Sequence, residues 1–121
     1  MKLLFEASAP VRASLARVRA LIDDEWVLDA FFASPDARSY VDVDHAPGVV
    51  GFQGHWWYRG EISASDDAGP TRMIYRVFNI AQRGAWAVPA ANHFFVGYRR
   101  TVQEGVDGLA AAVERHLKAA A

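Results

Sequence analysis

The sequence predicts an α+β domain built as strand, helix, helix, a curved antiparallel sheet of five or six strands, and a long C-terminal helix packed on that sheet. Three observations carry this. Apolar residues alternate at period two through the N-terminus and the middle of the chain, as in half-buried strands. From Phe95 to Leu117 they recur every three or four residues, as in a helix with one buried face. The chain has 121 residues, 52% hydrophobic and 22% charged, which is the length and composition of one domain, so both patterns share one core.

Residues 2–8 place Leu3, Phe5 and Ala7 on one face and Lys2, Leu4 and Glu6 on the other, giving a first strand. Ser8 and Pro10 then suit a helix start, where serine accepts a backbone N–H and proline lacks only a donor that has no partner. Val11, Leu15, Val18 and Ile22 form that helix's stripe, with Arg12, Arg17 and Arg19 off it. Asp23-Asp24-Glu25 reads as a break whose acids complement the dipole of a second short helix, a simpler account than a cation site. Trp26, Val27, Ala30 and Phe31 are the expected buried face of this helix, and Ser34-Pro35-Asp36 ends it.

β-Structure follows. Tyr40, Val41 and Val43 sit opposite Asp42 and Asp44 in a strand, and Ala46-Pro47-Gly48 turns the chain. Gly48, Gly51 and Gly54 recur every three residues, which predicts bulges or a bend. A phosphate loop would need a lysine and a helix after them, and neither is present. From 55 to 65, Trp56, Tyr58, Ile62 and Ala64 oppose His55, Trp57, Arg59, Glu61 and Ser63. Asp66-Asp67-Ala68-Gly69-Pro70 makes a hairpin turn. On the return strand, Met73, Tyr75, Val77 and Asn79 share one face, and Arg72, Ile74, Arg76 and Phe78 the other.

After the apolar piece Trp86-Ala87-Val88-Pro89, the last helix carries Phe95, Tyr98, Val102, Val106, Leu109, Val113 and Leu117 as its stripe. Gly97, Gly105 and Gly108 each cost about 1 kcal/mol relative to alanine there, which predicts close backbone approach or a bend. Glu114 and Lys118 are spaced for an i, i+4 pair.

Composition excludes several functions. With 14 acidic and 13 basic residues the net charge is −1, which gives no electrostatic attraction to nucleic acid or an anionic membrane. There is no cysteine, so no disulfide, thiolate metal site or cysteine nucleophile exists. No run approaches the ~18 apolar residues of a membrane span. Met1-Lys2-Leu3-Leu4-Phe5 opens like a signal peptide, but Glu6, Pro10 and Arg12 interrupt it, and a cytoplasmic protein is expected. Arginine outnumbers lysine 11 to 2 and 22 residues are alanine, a bacterial GC-rich codon bias that carries no folding signal.

His45, His55, His93 and His116 have no metal-binding spacing, and alternation sets His45 opposite Asp42 and Asp44. No Gly-x-Ser-x-Gly elbow is present. No metal, cofactor or catalytic residue is therefore assigned. If acid–base chemistry occurs, His93 with Arg76 or Asn79 would supply it. Arg59, Arg72 and Arg76 read as spaced surface cations on the sheet's outer face.

The stretch Phe5-Glu6-Ala7-Ser8-Ala9-Pro10, followed by Val18, Leu21, Ile22 and Asp23, together with the glycine-punctuated Pro47 to Gly54 and the closing helix, resembles the helix-grip fold of the START/Bet v 1-like (SRPBCC) superfamily. That superfamily includes polyketide cyclases and activators of chaperone ATPases. The resemblance covers the whole chain in topology. It implies a pocket between sheet and C-terminal helix that takes a small apolar or amphipathic molecule.

The expected lining is Trp56, Tyr58, Met73, Tyr75, Val77 and Asn79 from the hairpin, and Phe94, Phe95, Tyr98 and Val102 from the helix. The competing reading is a filled core, although Tyr58, Tyr75, Tyr98 and Asn79 each need a hydrogen-bond partner once buried. Binding is the first functional reading, because no acid–base pair converges. A cyclase or dehydrase using the same pocket is the second, and a protein-interaction module exposing Trp57 and Trp86 the third. Superfamily members carry a sixth or seventh strand where this chain has only residues 84–89, so the resemblance implies a reduced sheet, a more open cavity and a free edge that a homodimer would cover.

Overall fold

Period-two patterning zips five segments into one antiparallel sheet: β1 (Lys2–Pro10), β2 (Asp42–Ala46), β3 (Val49–Gly54), β4 (Tyr58–Ser65) and β5 (Arg72–Asn79). Their spatial order is β1-β5-β4-β3-β2. The structure is a computed structural model that describes residues 1–32, 34–54, 56–81 and 98–120. Helices α1 (Leu15–Asp23), α2 (Trp26–Phe31) and α3 (Pro35–Ser39) connect β1 to β2, and α4 (Tyr98–Ala119) ends the chain. α4 lies over β1 and β5, α1 over β3 and β4, and α2 against both helices. The result is a two-layer α+β arrangement with helices on one face of the sheet.

Alternation decides which side chains meet those helices. Val50, Phe52, Ile62, Met73 and Val77 point inward and are fully buried against Val18, Ile22, Val27, Leu28, Val106 and Val113. Burying each such side chain contributes roughly 1.5–3 kcal/mol. Gln103 of α4 donates to the Ser8 carbonyl at 2.9 Å, and Glu114 accepts from the Arg12 N–H at 2.7 Å instead of pairing with Lys118. These two bonds fasten α4 to the β1 end of the sheet.

The outer face is paired charge. Arg59 donates to both Asp44 oxygens at 2.7 and 2.8 Å and to Glu61 at 3.0 Å. The Arg59 hydrogen bonds hold the Asp44 carboxyl below the usual carboxylate range. Arg76 pairs with Glu6 at 3.0 Å, and Arg72 donates to the Ser8 hydroxyl. Arg59 and Arg76 are thus paired with carboxylates on the outer face, while Arg72 is held by a hydroxyl.

Several boundaries differ from the sequence reading. β1 runs through Pro10, where an edge strand tolerates the missing donor, and Ser14 caps α1 by accepting from the Arg17 N–H at 3.3 Å. A bulge between Leu3 and Phe5 turns Leu3 outward, 45% exposed, while Ala7 and Ala9 stay buried. The buried residues of α2 are Val27 and Leu28, and Ala30 is exposed. Ser34 does more than end α2, since its hydroxyl accepts from the Ala37 N–H at 3.2 Å and caps α3. Tyr40 closes that helix, so β2 starts at Asp42.

The glycine series makes no bulge, because the β2–β3 and β3–β4 registers are continuous. Gly48, with φ 74°, serves the β2–β3 turn instead. His55, residues 84–89, His93, Phe94, Phe95 and Gly97 lie outside the described residues.

Two glycines give opposite expectations. A Cβ at Gly60 would fall 2.6 Å from Phe52 Cζ and 2.8 Å from the Tyr58 hydroxyl, whereas one at Gly108 in α4 meets nothing within 4 Å. In urea unfolding, Gly60→Ala should lose about 1–3 kcal/mol through overpacking, and Gly108→Ala should gain about 1 kcal/mol through helix propensity.

Candidate functional site

Phe32 ends α2, Tyr40 ends α3, Gly54 ends β3, Trp57 and Tyr58 lead into β4, and Tyr98 begins α4. These element ends converge, with Ala37 and Val41, around a cleft of about 600 Å³. That volume lies in the usual range for small-molecule sites, and no described lining residue is charged. An ion-pair group anchors the α3 wall. Glu25, at φ 67°, accepts from Arg38 at 2.9 Å and meets His45 Nε2 at 3.2 Å, while Arg38 also bonds Asp29.

Beneath the cleft lies a packed aromatic group. The Phe52 ring sits 5.5 Å from Phe31, 5.3 Å from Phe32, 6.1 Å from Tyr58 and 6.3 Å from Tyr75. Neither described glycine of α4 marks a tight approach: a Cβ at Gly105 would meet Phe31 and Tyr75 at 3.5 and 3.9 Å, ordinary packing distances, and Gly108 borders open space.

The hydroxyls of Tyr58 and Tyr75 hydrogen-bond each other at the cleft's floor. Burial pushes the Tyr75 hydroxyl up to about 12, reinforced by Tyr98 and partly offset by the bond to Tyr58. Burial raises Tyr58 further, with the neighbouring Tyr75 oxygen opposing a second negative charge, and it raises Tyr98 as well. The floor is thus polar and uncharged.

Of the residues expected to line a pocket, Tyr58 and Tyr98 do, and Tyr75 lies just below with its hydroxyl on Tyr58. Met73, Val77 and Val102 are core, so the filled-core reading holds for them. Asn79 is also buried, and its side-chain oxygen accepts from the Ala81 N–H at 2.9 Å. Trp56 is a correction. It sits in the turn before β4, 56% exposed, because the strand begins at Tyr58 and the alternation does not extend back to it. Trp57, assigned to the outward face, lines the cleft instead. Phe94 lies outside the described residues.

Phe32, Ala37, Tyr40, Val41 and Gly54 were not foreseen, because they come from helix ends and connections that no periodicity marks. The Phe31-Phe32 doublet was the available signal, since a six-residue helix stripe cannot absorb both rings. Of the suspected acid–base parts, Arg76 is paired with Glu6 on the outer face and Asn79 is buried, while His93 lies outside the described residues.

Among the described residues, no group of three or more histidines or carboxylates is placed to hold a metal. Asp23 accepts from the Gly48 N–H at 3.0 Å and Asp24 from the Trp26 N–H at 2.9 Å, so that acidic run is structural. No helix among the described residues is long and apolar enough to cross a membrane. No family model matches the chain, and no curated protein or solved structure matches it significantly.

The tyrosine floor has a pH consequence. An unfolded chain releases its tyrosine protons near pH 10, while folded Tyr75 holds its proton up to about 12. The folded state binds more protons in that window, so this stabilisation is complete below about pH 10 and lost as pH rises toward 12. Urea midpoints should fall across that range, and less steeply in Tyr75→Phe, which has no proton to lose.

Proposed function

We propose that this chain binds a small apolar or amphipathic molecule in the cleft between the sheet and the start of α4, as a reduced helix-grip domain of the START/Bet v 1-like kind. One observation carries the reading: a cleft of about 600 Å³ walled by Phe32, Tyr40, Trp57 and Tyr98, with the Tyr58–Tyr75 hydroxyl pair as its polar handle. Aromatic walls offer large apolar area at fixed geometry, and buried hydroxyls orient what enters. The element order and the packing of α4 on the sheet support the fold assignment. Binding is favoured over turnover because the floor tyrosines hold their protons too tightly to act as bases near neutral pH.

A single chain suffices for this role. Among the described strands β2 is an edge, as β1 is, and it displays Asp42 and Asp44, acidic side chains of the kind that keep a sheet edge from pairing with another chain. Light scattering should give the monomer mass, and a stable dimer would restore the edge-pairing expected of a shortened sheet. Native mass spectrometry of freshly purified protein tests the binding itself. A mass excess is expected on the wild-type chain and should be lost in a folded Trp57→Ala variant. Persistence of the excess in that variant would remove the ligand from this cleft.

A further inference from the structure

The Tyr58–Tyr75 pair also says what kind of molecule the cleft accepts, an inference that rests on the binding reading above. Tyr58 is on the cleft wall and Tyr75 is buried beneath it, 5% exposed. Two hydroxyls that bond each other share one proton between their oxygens and have one left over. When Tyr75 donates to Tyr58, the leftover proton is that of Tyr58, the member of the pair that lines the cleft. A buried donor left without an acceptor costs free energy, so an occupant that brings an acceptor is favoured over a hydrocarbon. The Tyr75 bond polarises Tyr58 and makes it a better donor.

Charge is selected against. The described lining carries no cation to neutralise an anion and no carboxylate to neutralise an ammonium group. The same burial that raises the tyrosines would penalise a charged ligand. Shape is set by the rings: Trp57 stands edge-on to Tyr58 at 85° with centroids 5.5 Å apart, a corner that suits a flat ring system. Cation–π capture of a small quaternary ammonium is the weaker fit, since a cleft of about 600 Å³ is far larger than such a head group.

We propose that the cleft selects an uncharged, flat molecule bearing a carbonyl acceptor, which receives the Tyr58 hydroxyl proton. Three fluorescent probes test this on the full chain: the neutral naphthyl ketone prodan, its carbonyl-free parent dimethylaminonaphthalene, and anionic anilinonaphthalene sulfonate. Prodan should bind most tightly, with emission shifted to the red of its value in aprotic solvent by a hydrogen bond to its carbonyl. Tyr58→Phe should weaken prodan by about three- to tenfold, the worth of one neutral hydrogen bond, and leave the parent unchanged.

Equal affinities for prodan and its parent, each indifferent to Tyr58→Phe, would overturn the donor assignment and leave the cleft standing. Tighter binding of the sulfonate would overturn the selection for neutral ligands. Failure of all three to bind the wild-type chain would overturn both the selection and the binding reading. Should Tyr58→Phe fail to fold, prodan's emission on the wild-type chain decides alone, and an aprotic-like spectrum would overturn the hydrogen bond.

Discussion

The Phe52 ring lying across Gly60 is the constraint on which the rest of the structure depends. Phe52 and Gly60 face each other across β3 and β4, and only a residue without a Cβ leaves room for the ring in that position. With the ring there, Phe31 and Phe32 of the helical layer close on it from above, and Tyr58 and Tyr75 flank it within the sheet. One side chain thus joins the two layers and fixes the height of the cleft floor. Replacing so large a buried ring costs about 3–5 kcal/mol in typical cores, a sizeable share of a small domain's stability.

The two faces of the sheet divide the chemistry. On the outside, Gly51 leaves space for the guanidinium of Arg59 to lie against Asp44, just as Gly60 leaves space for Phe52 on the inside. An exposed pair such as Arg76–Glu6 contributes roughly 0–1 kcal/mol, so the main effect of these pairs is to cover the outer face with neutralised charge. The inner face receives apolar rings and hydroxyls, and charge stays off the described cleft lining. A site of this kind discriminates by shape and by hydrogen bonding, while electrostatic attraction contributes little.

The parts of the structure legible in the sequence are those with an uninterrupted period. Met73, Tyr75, Val77 and Asn79 alternate without a break and are buried as a set, and Val102, Val106, Leu109, Val113 and Leu117 keep their helical stripe. Wherever the period is broken the reading slips. The β1 bulge turns Leu3 outward, the turn before β4 reverses the assignments of Trp56 and Trp57, and Ser14, not Ser8, caps α1. The cleft was only partly legible for the same reason. Tyr58 and Tyr98 belong to regular elements, whereas Phe32, Tyr40 and Gly54 are element ends brought together by tertiary packing.

On the proposed reading, a small apolar molecule enters between Phe32, Trp57, Tyr58 and Tyr98. Heteronuclear NMR of the labelled chain titrated with naphthalene tests it most directly, because Trp57 and Trp26 report on separate places. Trp57 lines the cleft, and Trp26 stacks on His116 with centroids 4.3 Å apart. Saturable shifts of the Trp57 indole N–H and of the Val41 and Gly54 amides are expected, with Trp26 unmoved. Shifts centred on Trp26, or shifts that never saturate, would contradict that reading.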